Sequence, residues 1–583
     1  MSEKKDRFNV TATSVAAVDG YDMRVVMLPM RDGVKLQTVI GFPPNFSGKG
    51  AVLLIRSPYT RRTELVYPYA GALKRGVVAI LQACRGTGWS EGLFDPADRE
   101  YEKNDAADTF AWLEKQSWYN GRSVMLGASY PGWVQWCAMK TGYPGLVGTA
   151  PHVAPVYGCC GAARPGGVVR ISFAQSWMLS MHHRCRFGYE NVPDFEKEGL
   201  FEKLPVIEAD RNAGYPEDGP YRRFLSFALK PAELADGWRR DFRDFTAPAY
   251  ISGGWFDGFK EETISSFIAM KNGAASSEAA AFTRLVVGPW IHGGLANPDL
   301  FGKKCDYRKL DPTREKFLFN LLRRPHRDPL PGEPAVRYYM LCENKWHSAE
   351  TWPPAGTAEK RFFLHGNGAA NTLNGDGRLS ETPPGKEPCD VYVSDPRAPV
   401  LSDGGKHAAL GCYDRRPMQS RSDVLVYTGE KFTSPLTVTG EVKLRFFASV
   451  STPDTDFFAT LSCVMPDGRA MFLVTGGLRA RFRDPEKEVL LEPGKIYEFR
   501  LSLGNTAVKF MPGCALRLEL CGQHFPAFER NANSGGPLLR DRELHLSRHT
   551  IYHDKDHPAE LLLPVLPPEP LSFSKGSVPR MGR

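Results

Sequence analysis

The chain of 583 residues lacks most of the features that announce a function on sight. No window reaches the ~18 consecutive apolar residues that a membrane-spanning helix requires, so no membrane partner is expected. The twelve cysteines show no C-x-x-C spacing, which removes the common zinc and thioredoxin-like patterns. Arg85-Gly86-Thr87-Gly88 has neither the third glycine of a dinucleotide fingerprint nor the Lys-Ser/Thr ending of a P-loop. With no metal-ligand spacing either, no cofactor and no metal are expected. No long basic run occurs, and 74 basic against 66 acidic side chains leave a formal charge of +8, which argues against a nucleic-acid footprint. Arg479, Arg481 and Arg483 alternate along an apparent strand and read as one solvated face. Short-period repeats and low-complexity tracts are absent.

What remains is an ordinary globular composition, 42% hydrophobic and 24% charged, on a chain long enough for several cores. Met1 to Gly20 holds no apolar stretch of signal-peptide length, and Cys463 and Cys521 sit in apolar runs. Buried thiols and a cytoplasmic location are therefore the expectation.

Strands and helices alternate from about Asp22. Ala51–Arg56, Val77–Cys84 and Val124–Gly127 read as buried strands. Asp105–Trp118, with Asn104 as cap, and Trp133–Lys140 read as helices. The rhythm argues for a mostly parallel sheet, hence an α/β fold. It breaks at Val153 into a mainly helical insertion and resumes with strands at Pro248–Gly253, Arg284–Gly288 and Val336–Leu341, and helices at Glu261–Met270 and Thr313–Leu322. Beyond Trp352, short β-branched and aromatic runs recur between Gly, Pro and Asp turns, as in an antiparallel sandwich or jelly roll. The expected domains are 22–152 and 246–351 for the two parts of the α/β core, 153–245 for a helical cap, and 352–583 for the all-β part.

Two serines compete as nucleophile. Ser90, in Gly88-Trp89-Ser90-Glu91-Gly92, matches G-x-S-x-G literally; Ser129, in Gly127-Ala128-Ser129-Tyr130-Pro131-Gly132, misses it by one residue. The motif matters because it builds a strained strand-to-helix turn that exposes the hydroxyl. Ser129 directly follows Val124-Met125-Leu126 and precedes a helix, whereas Ser90 runs into Pro96, so Ser129 is favoured. A serine needs a base. His292 follows the strand Leu285–Gly288 and should project at the carboxyl edge of the sheet, where ligands bind; His152 is the runner-up. Asp257, beyond Ile251-Ser252-Gly253-Gly254, is the expected carboxylate, and the order Ser…Asp…His is that of α/β-hydrolases. The Tyr130 amide is one expected oxyanion donor, and Tyr59, after Arg56-Ser57-Pro58, offers a phenol as the second.

At these residues the chain resembles the cocaine esterase / X-Pro dipeptidyl-peptidase family of serine hydrolases, with the cocaine esterase branch nearest. The resemblance is carried by Ser57-Pro58-Tyr59, Arg85–Gly92, Gly127–Gly132, Gly254-Trp255-Phe256-Asp257-Gly258 and Gly288-Pro289-Trp290-Ile291-His292. It continues in Asp454-Thr455-Asp456-Phe457, Pro466-Asp467-Gly468, Leu478–Arg483 and Phe528-Glu529-Arg530-Asn531. It implies an α/β-hydrolase core with an inserted helical cap and a C-terminal jelly roll, the same triad, and a tyrosine oxyanion donor at Tyr59. It also assigns Ser90 to a glycine-rich loop.

The implied activity is cleavage of a carboxylic ester or amide of a small molecule through an acyl-enzyme. Acyl transfer, X-Pro dipeptidyl-peptidase and α-amino-acid ester hydrolase activities are alternatives on the same triad. Glu190, Asp194, Glu208, Glu233 and Asp236 lie in the cap, but their spacing does not make them converge into an ammonium site. A substrate pocket is expected from Trp133, Trp255, Phe256 and Trp290 beside the triad and from Phe173 and Trp177 in the insertion, against the plain alternative that they are core. A reading from another class is a catalytically silent binding protein on a hydrolase scaffold. Assembly into a homo-oligomer stays open.

Overall fold

A computed structural model describes residues 13–18, 20–60, 70–96, 98–156, 164–188, 191–216, 219–226, 242–297, 300, 311–402, 411–485 and 487–568. Of the acidic cap residues, Glu190, Glu233 and Asp236 lie outside them.

The first sheet is assembled from β1 (Thr13–Val18), β2 (Tyr21–Pro29), β3 (Lys35–Phe42), β4 (Gly50–Ser57), β5 (Val78–Ala83), β6 (Tyr119–Ala128), β7 (Leu146–His152), β8 (Tyr250–Gly254) and β9 (Arg284–Gly288). A small ribbon of β10 (Trp290–Ile291) and β11 (Gly294–Leu295) follows, and β12 (Val336–Met340) and β13 (Lys345–Ala349) complete the sheet. Its order is β1-β2-β3-β5-β4-β6-β7-β8-β9-β12-β13. From β5 to β12 the pairings are parallel, and both edges are antiparallel. β5, β8 and β9 are buried at every position, which is why their sequences are continuous apolar and small runs rather than alternating ones. The strand order reverses around β4, and the carboxyl ends of the parallel strands β4, β6, β8 and β9 lie on one edge of the sheet. That places a crevice at the switch point of the sheet.

The helix expected at Asp105–Trp118 instead spans Arg99–Leu113 and is capped by Asp98, whose carboxylate accepts the Glu100 and Tyr101 amides. Its buried face includes Glu102, Asp105 and Asp108, so charge hides the apolar period that would have marked its start. Asn104 lies inside the helix and accepts from Arg31 Nη1 at 3.0 Å.

Between β7 and β8 the described residues form the helix Ile171–Phe187 and shorter helices at Ala209–Asn212 and Pro220–Ser226. Ala174, Met178, Leu179 and Met181 of the long helix pack with Tyr130, Trp133, Tyr221 and Phe224, so this insertion sits directly on the helix that follows β6.

Among the described residues the C-terminal part is a β unit of eleven strands with a short helix at Arg416–Gln419, and its ladders are antiparallel except for one short parallel pairing between Arg378–Ser380 and Leu425–Gly429. Phe446, Phe457 and Phe499 are buried together in it, one pair stacked, one edge-on and one tilted, with centroid separations of 4.7–5.4 Å. The expected solvated arginine face is not found. Arg479 forks onto Asp456 (2.9 and 3.0 Å) and reaches Glu529 at 2.7 Å, and Arg481 contacts Asp454 at 2.8 Å, all buried. Both strand-end arginines point inward because carboxylates with matching geometry are there to receive them. Arg483 lies over the Tyr497 ring.

The two parts are joined by main chain and side chain. Leu341 exchanges amide hydrogen bonds with Ala507 (2.9 Å) and Lys509 (3.0 Å). Trp255 packs on Trp352, and Phe256 on Phe472. Among the described residues no helix is long and apolar enough to cross a membrane. Cys84, Cys137, Cys412, Cys463, Cys514 and Cys521 are buried free thiols, whereas Cys185 is exposed.

Candidate active site

Ser129 occupies the single residue between β6 and the helix Tyr130–Met139, with φ +62° and ψ −127°. A non-glycine residue at positive φ costs about 1–3 kcal/mol and persists only where its surroundings hold it. Here the Ser129 amide donates to the His152 carbonyl at 2.9 Å, and its own carbonyl receives the Gly132 and Trp133 amides at 2.8 and 3.0 Å. The flanking glycines are steric necessities. A Cβ at Gly127 would lie 2.8 Å from the Pro131 carbonyl oxygen, and one at Gly132 would lie 2.4 Å from the Ala154 Cβ. The turn has the geometry of a nucleophile elbow with its second glycine displaced by one position.

The other two residues arrive from the neighbouring strand ends. Asp257 follows β8, and His292 sits in the turn of the β10–β11 ribbon. His292 Nε2 lies 2.9 Å from Ser129 Oγ, and its Nδ1 lies 2.7 Å from Asp257 Oδ2. The second Asp257 oxygen accepts the Phe259 amide at 2.8 Å. The carboxylate is fully buried, while the imidazole is 47% exposed and so open to the crevice. Gly254 lets the two loops meet: a Cβ there would stand 2.1 Å from the Trp290 carbonyl oxygen.

Electrostatics agree with the geometry. Burial pushes the Asp257 carboxyl up, but the His292 imidazole, the Phe259 amide and the Arg170 guanidinium outweigh it and hold the group below its usual range. Burial pushes His292 down, and the Asp257 carboxylate, by charge and hydrogen bond, more than reverses this and raises it. The result is an imidazole ready to accept a proton beside a carboxylate that stays ionised.

The runner-up histidine, His152, is buried with Nδ1 2.9 Å from Ser252 Oγ, and burial depresses it to about 3. Ser90 lies in a loop, where its hydroxyl donates to the Ala83 carbonyl (2.8 Å) and accepts the Gln37 amide (2.9 Å).

Tyr59 lies just past β4, and its hydroxyl accepts the Trp177 indole N–H at 3.1 Å. Its own proton therefore points away from Trp177. The Tyr130 phenol donates to Glu102 (2.8 Å), which pairs with the buried Arg56 (2.9 Å), anchoring the first residue of the helix behind Ser129.

The six expected pocket aromatics separate into two groups. Phe173 and Trp177 are half-buried and stacked at 5.8 Å on the helix above the crevice. Trp133, Trp255, Phe256 and Trp290 are buried: Trp133 packs edge-on to Tyr130, Trp255 donates to the Tyr339 carbonyl at 2.7 Å, and Trp290 packs against Trp346. Sequence reasoning missed Phe259, whose ring meets His292 edge-on at 5.4 Å and Phe173 at 5.6 Å. Its only signal was its place two residues after Asp257. It missed Arg170 as well, one of several arginines in the insertion and with no motif around it. Of the acidic cap residues, Asp194 pairs with Lys197 (2.7 Å), and Glu208 with Arg542 (2.7 Å) and Arg211 (3.6 Å).

Known proteins resemble this chain along nearly its full length. Residues 32–294 match the model of the X-Pro dipeptidyl-peptidase (S15) family, and residues 331–562 match its C-terminal non-catalytic domain. Cocaine esterase of Rhodococcus sp. (strain MB1 Bresler) is 32% identical over 93% of this chain and 98% of that protein. Among solved structures, an α-amino acid ester hydrolase superposes with a TM-score of 0.78 at 22% identity, covering 95% of this chain and 98% of its own. An aminopeptidase from a marine-sediment Thaumarchaeota archaeon superposes with a TM-score of 0.77 at 21% identity, covering 97% and 100%. These two establish likeness of fold. Identity over almost all of both chains establishes more: the chain belongs to the cocaine esterase / X-Pro dipeptidyl-peptidase family of serine hydrolases.

Proposed function

We propose that this protein hydrolyses carboxylic esters of small molecules, with Ser129 as nucleophile, His292 as general base and acid, and Asp257 as the group that orients His292. The observation that carries the reading is the hydrogen-bonded line Ser129 Oγ–His292–Asp257 at 2.9 and 2.7 Å. His292 takes the serine proton as Oγ attacks the acyl carbon, and Asp257 stabilises the imidazolium that forms. The tetrahedral oxyanion is received by the Tyr130 amide and the Tyr59 hydroxyl. Support for Tyr59 comes from its place beyond β4, the parallel neighbour of β6, and from the Trp177 hydrogen bond that fixes its oxygen. His292 then returns the proton to the leaving alcohol, and water repeats the sequence to release the acid.

The acyl pocket we assign to Tyr59, Phe173, Trp177 and Phe259, an aromatic wall between the crevice and the insertion, suited to a flat or branched apolar group.

A fluorophosphonate probe tests the nucleophile. The wild type should label and Ser129→Ala should not; an unlabelled wild type with no turnover would favour a silent binding protein. An acyl-by-alcohol ester panel that includes aminoacyl anilides and X-Pro amides then ranks substrates. Rapid X-Pro cleavage with poor ester turnover would replace the ester reading by a peptidase one.

A further inference from the structure

The geometry points to Arg170 as a positioning residue for the His292–Asp257 pair, clamped from the far side by Glu529 of the C-terminal β unit. The inference rests on the triad proposed above and gives the β unit a part in the reaction.

Residues 166–172 lie pressed on the β unit. A Cβ at Gly166 would stand 1.9 Å from the Gly477 carbonyl oxygen, and one at Gly167 would stand 2.3 Å from the Phe482 ring. The Glu529 amide donates to the Val169 carbonyl at 2.8 Å, the Val169 amide donates to Glu529 Oε1 at 3.3 Å, and the Ser172 amide donates to the Pro526 carbonyl at 3.2 Å. Glu529 itself is held by Arg479 (2.7 Å), and Arg479 by Asp456, whose oxygen also accepts from Asn531 at 2.8 Å. These are the motif residues of the C-terminal half that the triad leaves unexplained. They form one buried network that ends on the backbone beside residue 170.

From that fixed backbone the Arg170 side chain runs to the catalytic loop. It is only 9% exposed, and its Nη1 donates to the Gly258 carbonyl at 2.6 Å. The guanidinium covers Gly258 so closely that a Cβ there would meet Nη2 at 2.4 Å. Gly258 immediately follows Asp257, so the contact holds the turn that presents the carboxylate. Among the described residues the charges acting on this pair are these, and the Arg314 guanidinium acts on the neighbouring His152. His292 faces Asp257 and Arg170, with the neutral His152 behind; Asp257 faces His292 and Arg170; Arg170 faces Asp257 and Glu262. Arg170 therefore offsets part of the carboxylate field that raises His292. It keeps the imidazole deprotonated to a lower pH than Asp257 alone would allow.

The test is the pH profile of kcat/KM on an ester turned over by the wild type, with folding checked by circular dichroism. In Arg170→Gln the acid limb should move to higher pH by roughly half to one unit, with kcat reduced about tenfold and KM little changed. Arg170→Lys retains the charge but loses the fork, so its limb should stay at the wild-type position while kcat falls. A folded R170Q enzyme with an unmoved limb overturns the proposal. If R170Q does not fold, wild-type kcat in R170K overturns it and reduced kcat at constant KM supports it. In Glu529→Gln the limb should move the same way by less, and a folded enzyme with unchanged limb and kcat severs the clamp. An inactive wild type, or an active Ser129→Ala, would instead sink the triad reading on which this one stands.

Discussion

Ser129 carries a backbone conformation that its own side chain does not favour, so its reactivity depends on neighbours that keep it there. Loss of the hydroxyl in Ser129→Ala should lower kcat by at least about 10⁴-fold while the fold persists, because residual rate then comes from binding and oxyanion donors alone. Tyr59→Phe should cost about 10²–10³ in kcat, the usual loss of one oxyanion donor, with fluorophosphonate labelling slowed rather than abolished. Since Asp257 raises His292, the unprotonated base is recovered only above the ordinary imidazole value of ~6.5. The kcat/KM profile should therefore climb with pH along a limb centred above that value and fall away below it. A limb centred near 5 would contradict the assignment of His292 as base. At this scale Ser129, Asp257 and His292 could be picked out because each comes within four residues of the end of a buried strand, and the structure brings the three within hydrogen-bond distance. The aromatics around Asp257 were harder to sort, because near neighbours along one turn face different ways. Trp255 and Phe256 precede Asp257 and turn into the core, while Phe259, two places beyond it, faces His292.

Elements deliver these residues through close approaches that only glycine permits. Gly258→Ala would put a methyl group into the Arg170 guanidinium, and the loop or the arginine must give way. We expect kcat to fall about tenfold or more and stability by roughly 1–3 kcal/mol, read by kinetics and denaturant melts. An alanine at Gly142, at the end of the helix that follows Ser129, meets no neighbour and should leave kcat intact, its cost confined to backbone strain at φ +65°. The central strands were readable as short apolar runs, and β9 was located to the residue. The helix Arg99–Leu113 was displaced because Glu102, Asp105 and Asp108 are buried by ion pairs with Arg56, Arg85 and Arg31, and an apolar pattern cannot register them. The short strand Arg378–Ser380 escaped notice for lack of length, and Glu560–Leu566 for the proline within it.

Across the whole molecule the hydrolase part and the β unit share one interface. Cutting the chain after Thr351 would strip Trp352 and Phe472 from Trp255 and Phe256, each buried aromatic being worth about 1.5–3 kcal/mol. It would also leave the Leu341 and Val169 main-chain groups without their partners. A fragment of residues 1–351 should lose its cooperative melt and its ester turnover together. A fragment that melts sharply and turns over ester would show the halves to be independent. The two-part layout was visible in the change of sequence texture near Trp352. The bond between the parts was not, because it runs through main-chain groups of Leu341 and Val169 and through single aromatics that no sequence pattern pairs.

The Glu529–Val169 clasp also has a bearing on timing. A ribosome adds roughly 5–20 residues per second, so Ser129 and His292 emerge many seconds before Glu529, which holds the backbone beside Arg170. During that interval the nascent polypeptide carries Ser129 and His292 without the carboxylate and amide that hold the backbone at Val169.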